Sequence, residues 1–479
     1  MLYLPSGAPL HQVFIVEGIQ ELINTKQSLY FSTRVWVRRS QSIISCSSIS
    51  AELWICLIPG LCPSLRVMFK LSNRLKQSWV LRPTLGGLRH ACSAGSSEGN
   101  RTALYDFHVQ KGGKIVNFGG YALPVQYSDQ SIIASHLHTR SVGSIFDVSH
   151  MLQTYVRGKD AAACLESVCT ADISGTPEGS GTLTVFTNDQ GGILDDLIVN
   201  KVSEKELYVV SNAAMKQQDM NIISAAASSF KSQGRDVSVE FLTPSDQSLI
   251  AVQGPRVAAE LAKLLAPATA LDQLYFMQSF VGTLAGIPNV RITRCGYTGE
   301  DGVEISVASG HVQALTEALL ANGILKLAGL GARDSLRLEA GLCLYGSDID
   351  AQTTPVEAAL AWLVAKRRRA TRDFPGADVV LSQLKGGVQR RRVGLQMLGA
   401  KPPPARSGVA IFSGGQQVGQ VTSGCPSPST GRNIAMGYVS ESLKAPGSRV
   451  ELKVRDKFYE AEITKTPFVK ANYYNKPKI

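Results

Sequence analysis

The sequence has no CxxC pair among its nine cysteines (Cys46, Cys56, Cys62, Cys92, Cys164, Cys169, Cys295, Cys343, Cys425), and no acidic residue between Glu52 and Glu98. An odd number of cysteines spread over 479 residues excludes a small secreted disulfide scaffold and fits a reducing compartment. Histidine is scarce. Of seven, only His136 and His138 lie close together, without Cys or carboxylate neighbours, so no metal site is expected and both read as exposed helix or loop side chains. There is no P-loop, heptad run or solenoid repeat, and "GGKIVNFGG" lacks GxGxxG spacing, so neither a nucleotide site nor a dinucleotide fold is expected. The apolar run "LWICLIPGLCPSL" covers 13 residues and contains Pro59. It falls short of the roughly 20 a spanning helix needs, so no membrane association is expected.

What is present is globular. Hydrophobic residues make up 44% and charged residues 18%, enough for more than one packed domain. The net charge of +11 is unevenly placed: residues 1–100 hold ten Lys/Arg against four Asp/Glu. The mild remainder, without aromatic and basic interleaving, argues against nucleic-acid binding. From Met68, Phe69, Leu71, Leu75, Trp79 and Val80 alternate with Lys70, Arg74, Lys76, Arg82 and Arg89. A basic, amphipathic, acid-poor stretch of this kind reads as a mitochondrial presequence over 68–100, within a largely disordered leader over 1–100. The mature protein is therefore expected in the mitochondrial matrix.

Beyond residue 101 short strands and helices are interspersed. Strands are predicted at 182–187, 193–199, 207–211, 237–242, 248–252, 289–294 and 303–307. Helices are predicted at 128–140, 158–168, 214–232, 255–265, 310–321 and 331–340, with Pro255 at a first helical position. Without regular βαβ alternation the class is α+β. A boundary is expected near 366–386, dividing a domain over 101–375 from one over 376–479, whose short strands and turns predict an all-β barrel or sandwich. The basic runs Lys366–Arg369 and Arg390–Arg392 read as solvated faces.

One hairpin poses a problem. In "GGILDDLIVN" Asp195 shares a face with Ile193, Leu197 and Val199, and Asp196 shares the other with Leu194 and Ile198. Both faces are largely apolar, so at least one carboxylate is expected among buried neighbours, where an unpaired charge is costly. The plain alternative is that both cap turns or pair with arginines.

Ten blocks carry a family resemblance. They are "LYDFH" (104–108), "LPVQY" (123–127), "FDVSHM" (146–151), "GGILDDLIV" (191–199), "RCGYTGEDGVEIS" (294–306), "ARDSLRLEAGLCLYG" (332–346), "DID" (348–350) with "TTPVE" (353–357), "VTSGCPSPS" (421–429), "IAMGYV" (434–439) and "NYY" (472–474). In this order the chain from about Thr102 to Tyr474 closely resembles the aminomethyltransferases, or T-proteins, of the glycine cleavage system. The resemblance implies a three-lobed α+β fold around a folate-binding channel, with the all-β barrel as the last lobe. It also implies the reaction: the methylene carbon of an aminomethyl group on the dihydrolipoyl arm of the H-protein passes to tetrahydrofolate, giving 5,10-methylenetetrahydrofolate and ammonia. Tetrahydrofolate would be a co-substrate, and the P- and L-proteins partners in the same system.

The resemblance also implies residue roles. Asp196, the second of the pair, would be catalytic, a fixed anion where positive charge develops as C–N and C–S bonds break, while Asp195 keeps a structural reading. Glu304, Tyr297, Arg333 and Tyr473 would contact folate or substrate, and Met151 would line an apolar pocket. Arg337 reads as structural, paired with Asp334 and Glu339 on an exposed helix. Glu300 and Asp301 read as turn formers. An acidic lipoyl carrier could be steered by the first basic run. Two relatives of the same fold are disfavoured. A dimethylglycine or sarcosine dehydrogenase would carry an upstream flavin motif, and the iron–sulfur assembly factor a "KGCYxGQE" segment where this chain has "RCGYTGED".

Overall fold

The computed structural model describes residues 99–266 and 271–476, together with short strands at Gln12–Phe14, Val35–Arg39, Ser42–Cys46, Glu52–Trp54 and Met68–Lys70. Those five strands belong to one compact unit, Met1–Gly86, and the remaining elements to a second, Gly87–Ile479. Apart from the strands, the expected leader and its presequence lie outside the described residues up to residue 98.

The second unit is built on an antiparallel sheet, a mainly antiparallel sheet with one parallel edge pair, and a barrel. The first sheet runs in the order Ser180–Thr187, Ile193–Ser203, Glu206–Ser211, Leu152–Arg157, Ser238–Leu242. Its odd-numbered residues Leu197, Val199, Leu207 and Val209 pack with Ile223, Ala226 and Phe230 of the helix Lys216–Ser232 and with Leu165 of the helix Ala161–Glu166. Strand alternation therefore turns the even-numbered residues of Ile193–Ser203 away from these helices.

The second sheet runs Ser279–Leu284, Ile287–Thr293, Gly302–Ala308, Gln247–Gln253, Ser144–Asp147, Lys326–Leu327. Val303, Ile305 and Val307 enter one core with Ile250, Val252 and the helix Val312–Leu320. Leu249 and Ala251 point the other way, joining Tyr208 and Val210 of the first sheet and Leu336 of the helix Leu330–Glu339. The two sheets thus face each other across that second core. Gln153 ties them, accepting from Tyr208 Oη at 2.8 Å and from Ser306 Oγ at 2.6 Å.

Six strands over residues 390–464 close into a barrel around Leu395, Ile411, Leu452 and Ile463. The all-β lobe and the α+β class are as the sequence predicts. Element positions agree closely as well, apart from Pro255, which precedes the N-cap Arg256 of Val257–Ala262 rather than opening the helix. Two helices, Lys366–Thr371 and Ala377–Gly386, occupy the expected boundary. Each is short, and Arg372 and Gly376 interrupt them with positive φ, which hides their period in the sequence.

The helix Leu330–Glu339 ties the barrel to the sheets through its last turn. Glu339 accepts from Ser427 Oγ at 2.6 Å and Ser429 Oγ at 2.7 Å of the barrel, and from Arg140 Nη2 and His136 Nε2 at 3.0 Å. His136 is therefore fully buried rather than exposed; its ring fills the gap between two helices and the barrel loop. Arg337 is buried as well. It pairs with Asp334 as expected, but its second acid is Asp348, at 2.6 Å, since Glu339 is taken by Arg140.

The basic runs are only partly solvated: Lys366 is exposed, but the arginines are largely paired within the chain. Arg368 is fully buried, paired with Glu166 at 3.1 Å and donating to the carbonyls of Cys169 and Asp373. Arg367 pairs with Glu166 and Asp172, and Arg369 donates to the carbonyls of Val364 and Ala361. Arg390 and Arg391 pair with Glu357 and Glu441, and Arg392 donates to the Ala358 carbonyl.

Candidate active site between two facing sheets

The hairpin that carries the two aspartates is closed by a turn that only glycine fits. Gly191 has φ of +75°, and a Cβ on Gly192 would fall 1.9 Å from the Ala351 carbonyl oxygen. Asn188 Oδ1 accepts from the backbone of Gln190 at 3.0 Å and Gly192 at 2.8 Å, fixing the turn. Register then sets Asp195 opposite Phe186 and Asp196 opposite Val185.

The faces differ. Asp195 is fully buried on the helix side, whereas Asp196 is half-buried on the side of Ile198 and Asn200. Ile198 and Asn200 line a cavity with Tyr208, Thr293, Cys295 and Glu304. Strand parity thus places Asp196 on the face that opens between the sheets. Neither aspartate has the arginine partner of the plain reading. Asn212 serves instead: its backbone N–H and Nδ2 reach Asp195 at 3.0 and 2.9 Å, and Nδ2 reaches Asp196 Oδ1 at 2.9 Å. Burial, then the charge of Asp195, pushes Asp196 up to about 7.

Glu304 stands on the opposite wall, since Val303 and Ile305 face the other core. Burial raises its carboxyl above the usual range, and the charge of Arg333 only partly offsets this. Arg333 lies with its guanidinium 4.7 Å from the centroid of the Tyr297 ring, and its Nη1 is buried without a partner. The Tyr297 hydroxyl donates to the Cys343 carbonyl. Cys343 packs against the cluster of Val185 and Ile193, which brings Tyr297 near the hairpin that carries Asp196.

Tyr473 belongs to the C-terminal segment, where its ring stacks on Phe276 at 4.2 Å. Glu300 anchors that segment, accepting from Asn472 Nδ2 and Arg140 Nη1, each at 2.9 Å, and Asp301 pairs with Arg294 at 2.5 Å. Both do more than form the turn. Met151 is half-buried against Phe146, Val148 and Tyr208, and does not line the Glu304 cavity. The structure stacks Arg333 on Tyr297 and Tyr473 on Phe276, lines the cavity with Glu304, turns Asp196 to the cavity side of its strand, and sets Met151 in the neighbouring core.

Several neighbours were not singled out from the sequence. Asn212 follows a strand directly, and an Asn there signals only a turn. Cys295 touches Glu304, and burial raises its thiol well above the ordinary range. Buried His150, its Nδ1 unpartnered, is pushed down to about 3 by burial and by Arg333. It is a neutral imidazole at any physiological pH.

An anion held in apolar surroundings, facing a second carboxylate with an arginine, suits a cationic reacting centre attached to a ring rich in N–H donors. The comparisons agree. The profile described as "GCVT N-terminal domain" matches residues 104–368, and that of the "Glycine cleavage T-protein C-terminal barrel domain" matches residues 390–470. The chain is 53% identical over 374 residues to the mitochondrial aminomethyltransferase of Homo sapiens, covering 78% of this chain and 91% of the relative. To that of Pisum sativum it is 46% identical over 407 residues, covering 84% and 98%. The crystal structure of the glycine cleavage system aminomethyltransferase T from Bartonella henselae superposes with a TM-score of 0.72 at 37% identity, covering 78% of this chain and 99% of that one. The chain belongs to the glycine cleavage T-protein family, the tetrahydrofolate-dependent aminomethyltransferases.

Proposed function

We propose that the cavity between the facing sheets is where the aminomethyl carbon passes from the dihydrolipoyl arm of the H-protein to tetrahydrofolate, with Asp196 as the reacting anion. The observation that carries this reading is that Glu304 lines the cavity between the sheets, Asp196 lies on the strand face turned toward it, and a buried Arg333 with an unpaired Nη1 stacks on Tyr297. The residues present fit the folate: an unpartnered buried Arg333 Nη1 and a carboxylate without a strong partner await polar groups from outside the chain. Tetrahydrofolate supplies the nucleophilic nitrogens that accept the carbon.

The roles of this chain's residues follow from charge. Glu304 accepts adjacent N–H donors of the pterin, and Arg333 favours its charged form while offering its free N–H. Tyr297 supports Arg333 from below through its ring face. Asp196, fixed by Asn212, stabilises the positive charge that develops on the transferred carbon as the C–S bond breaks. Its low-dielectric surroundings strengthen that interaction. Tyr473 and Phe276 provide a stacked aromatic wall, and Met151 supports the apolar side. The P- and L-proteins would act in the same system. Residues 1–100 would be a leader, with its presequence over 68–100 directing the chain to the matrix, ahead of domains over 101–375 and 376–479.

The test is to incubate the protein with aminomethyl-loaded H-protein and follow ammonia with and without tetrahydrofolate. Folate should accelerate ammonia release with matching formation of 5,10-methylenetetrahydrofolate. Release at the same rate in both arms would exclude the transfer.

A further inference from the structure

Asp195 is the aspartate that the transfer chemistry leaves unused, and it is the more deeply buried of the two. Its side chain points from the strand Ile193–Ser203 toward the helix Lys216–Ser232. On that helix Asp219 is also fully buried, with two carboxyl oxygens that find no donor, and its neighbour Gln218 donates to the Leu194 carbonyl at 2.8 Å, which brings Asp219 up to Asp195. Two ionised carboxylates are acceptors only, so in contact and away from water they repel and neither satisfies the other. One proton between them removes both problems and turns the contact into a short, charge-assisted O–H···O bond.

The groups facing this pair supply no positive charge. They are Ser211 and Asn212 at the end of the strand Glu206–Ser211, Asp196 on the same strand as Asp195, and Tyr345 from the opposite side. The Tyr345 hydroxyl donates to the Ile193 carbonyl at 3.1 Å. Lys216, on the same helix as Asp219, donates instead to the Tyr121 hydroxyl at 2.7 Å. Asn212 links the pair to the site, since its Nδ2 reaches Asp195 Oδ1 and Asp196 Oδ1, each at 2.9 Å.

We propose that Asp195 and Asp219 share a single proton at neutral pH, and that this singly charged pair, through Asn212, fixes the carboxylate of Asp196, making Asp219 a positioning residue for the transfer. A second charge on the pair would oppose ionisation of Asp196, which the chemistry needs as an anion. Burial, followed by the charge of Asp219, pushes Asp195 well above the usual carboxylate range, and burial pushes Asp219 up to about 6, in the same sense as the geometry. The kinetic half of this inference rests on the reading of Asp196 given above; the shared proton does not.

The proton is read directly by infrared spectroscopy of the full-length protein at about pH 8, above the value of about 7 for Asp196. The carbonyl stretch of a buried carboxylic acid, shifting in D2O, is expected in the wild type and in Asp196→Asn. It should be lost in Asp219→Asn and in Asp195→Asn, the second variant serving if the first does not fold. The same band in wild type and both of these variants overturns the shared proton. Kinetically, Asp219→Ala should lower kcat by on the order of ten-fold or more, with KM for tetrahydrofolate little changed. Asp219→Asn supplies a permanent N–H donor and should recover most of that loss. Equal losses in the two variants, or none in either, overturn the positioning role. If Asp196→Asn keeps full activity while the band behaves as stated, the shared proton is supported and the reading of Asp196 falls.

Discussion

The Arg333 guanidinium lies over the ring of Tyr297, 4.7 Å from its centroid, with Nη1 buried and unpaired. An arginine held this way has exchanged solvent for one aromatic face and the nearby Glu304 charge. Arg333→Ala leaves Glu304 buried without its counter-charge, which raises its carboxyl further. Affinity for tetrahydrofolate should fall by on the order of ten- to a hundred-fold, measured by calorimetric titration. Arg333→Lys should recover only part of it, because an ammonium cannot both stack on the ring and present a planar fork of donors.

Asp196 is held where ionisation is costly, and this sets a pH dependence of stability. Burial, then Asp195, raises its folded value to about 7, from the usual 3.8. Between those values the folded chain binds more protons than the unfolded one, so this contribution to stability falls as pH rises. Asp196→Asn should therefore be more stable than wild type at pH 8, by on the order of 2 kcal/mol, and the gain should vanish near pH 4. Thermal denaturation of both proteins across this range reads the difference.

Glu339 works in the opposite direction. Burial opposes its ionisation, but hydrogen bonds from His136, Ser427 and Ser429 outweigh that and hold it down at about 2. Its stabilisation is fully present above the usual carboxylate value of 4.5 and is lost as pH falls toward 2. Glu339→Ala strands His136, Arg140 and two barrel serines together, and should cost roughly 3 kcal/mol or more at neutral pH. Chemical denaturation would show the loss, and proteolysis should then cut preferentially between the sheets and the barrel.

Much of this arrangement is legible in the sequence because it depends on local periods. The hairpin over 182–199, the helix near 216–232 and the strand carrying Glu304 follow from alternation and turn chemistry. Strand parity separates Asp195 from Asp196, but it cannot say which face opens, because that depends on where a distant sheet packs. Asp219 reads as an ordinary acid in the first turn of a helix. Only tertiary packing brings it against Asp195. Arg368 misleads in the same way: a run of four cations resembles a solvated face, yet its partner Glu166 is 202 residues away in sequence. The roles of Tyr297, Glu304, Arg333 and Tyr473 follow from motif resemblance, and the fold adds the stacking of Arg333 on Tyr297 and the cavity that Glu304 lines.

The most direct measurement is a single turnover of aminomethyl-loaded H-protein at saturating tetrahydrofolate, comparing wild type with Asp196→Asn. The side chains are nearly isosteric, so folate affinity should be preserved while the rate of methylenetetrahydrofolate formation falls by on the order of a hundred-fold or more. An Asp196→Asn protein that transfers the carbon at the wild-type rate would contradict the assignment of the reacting anion.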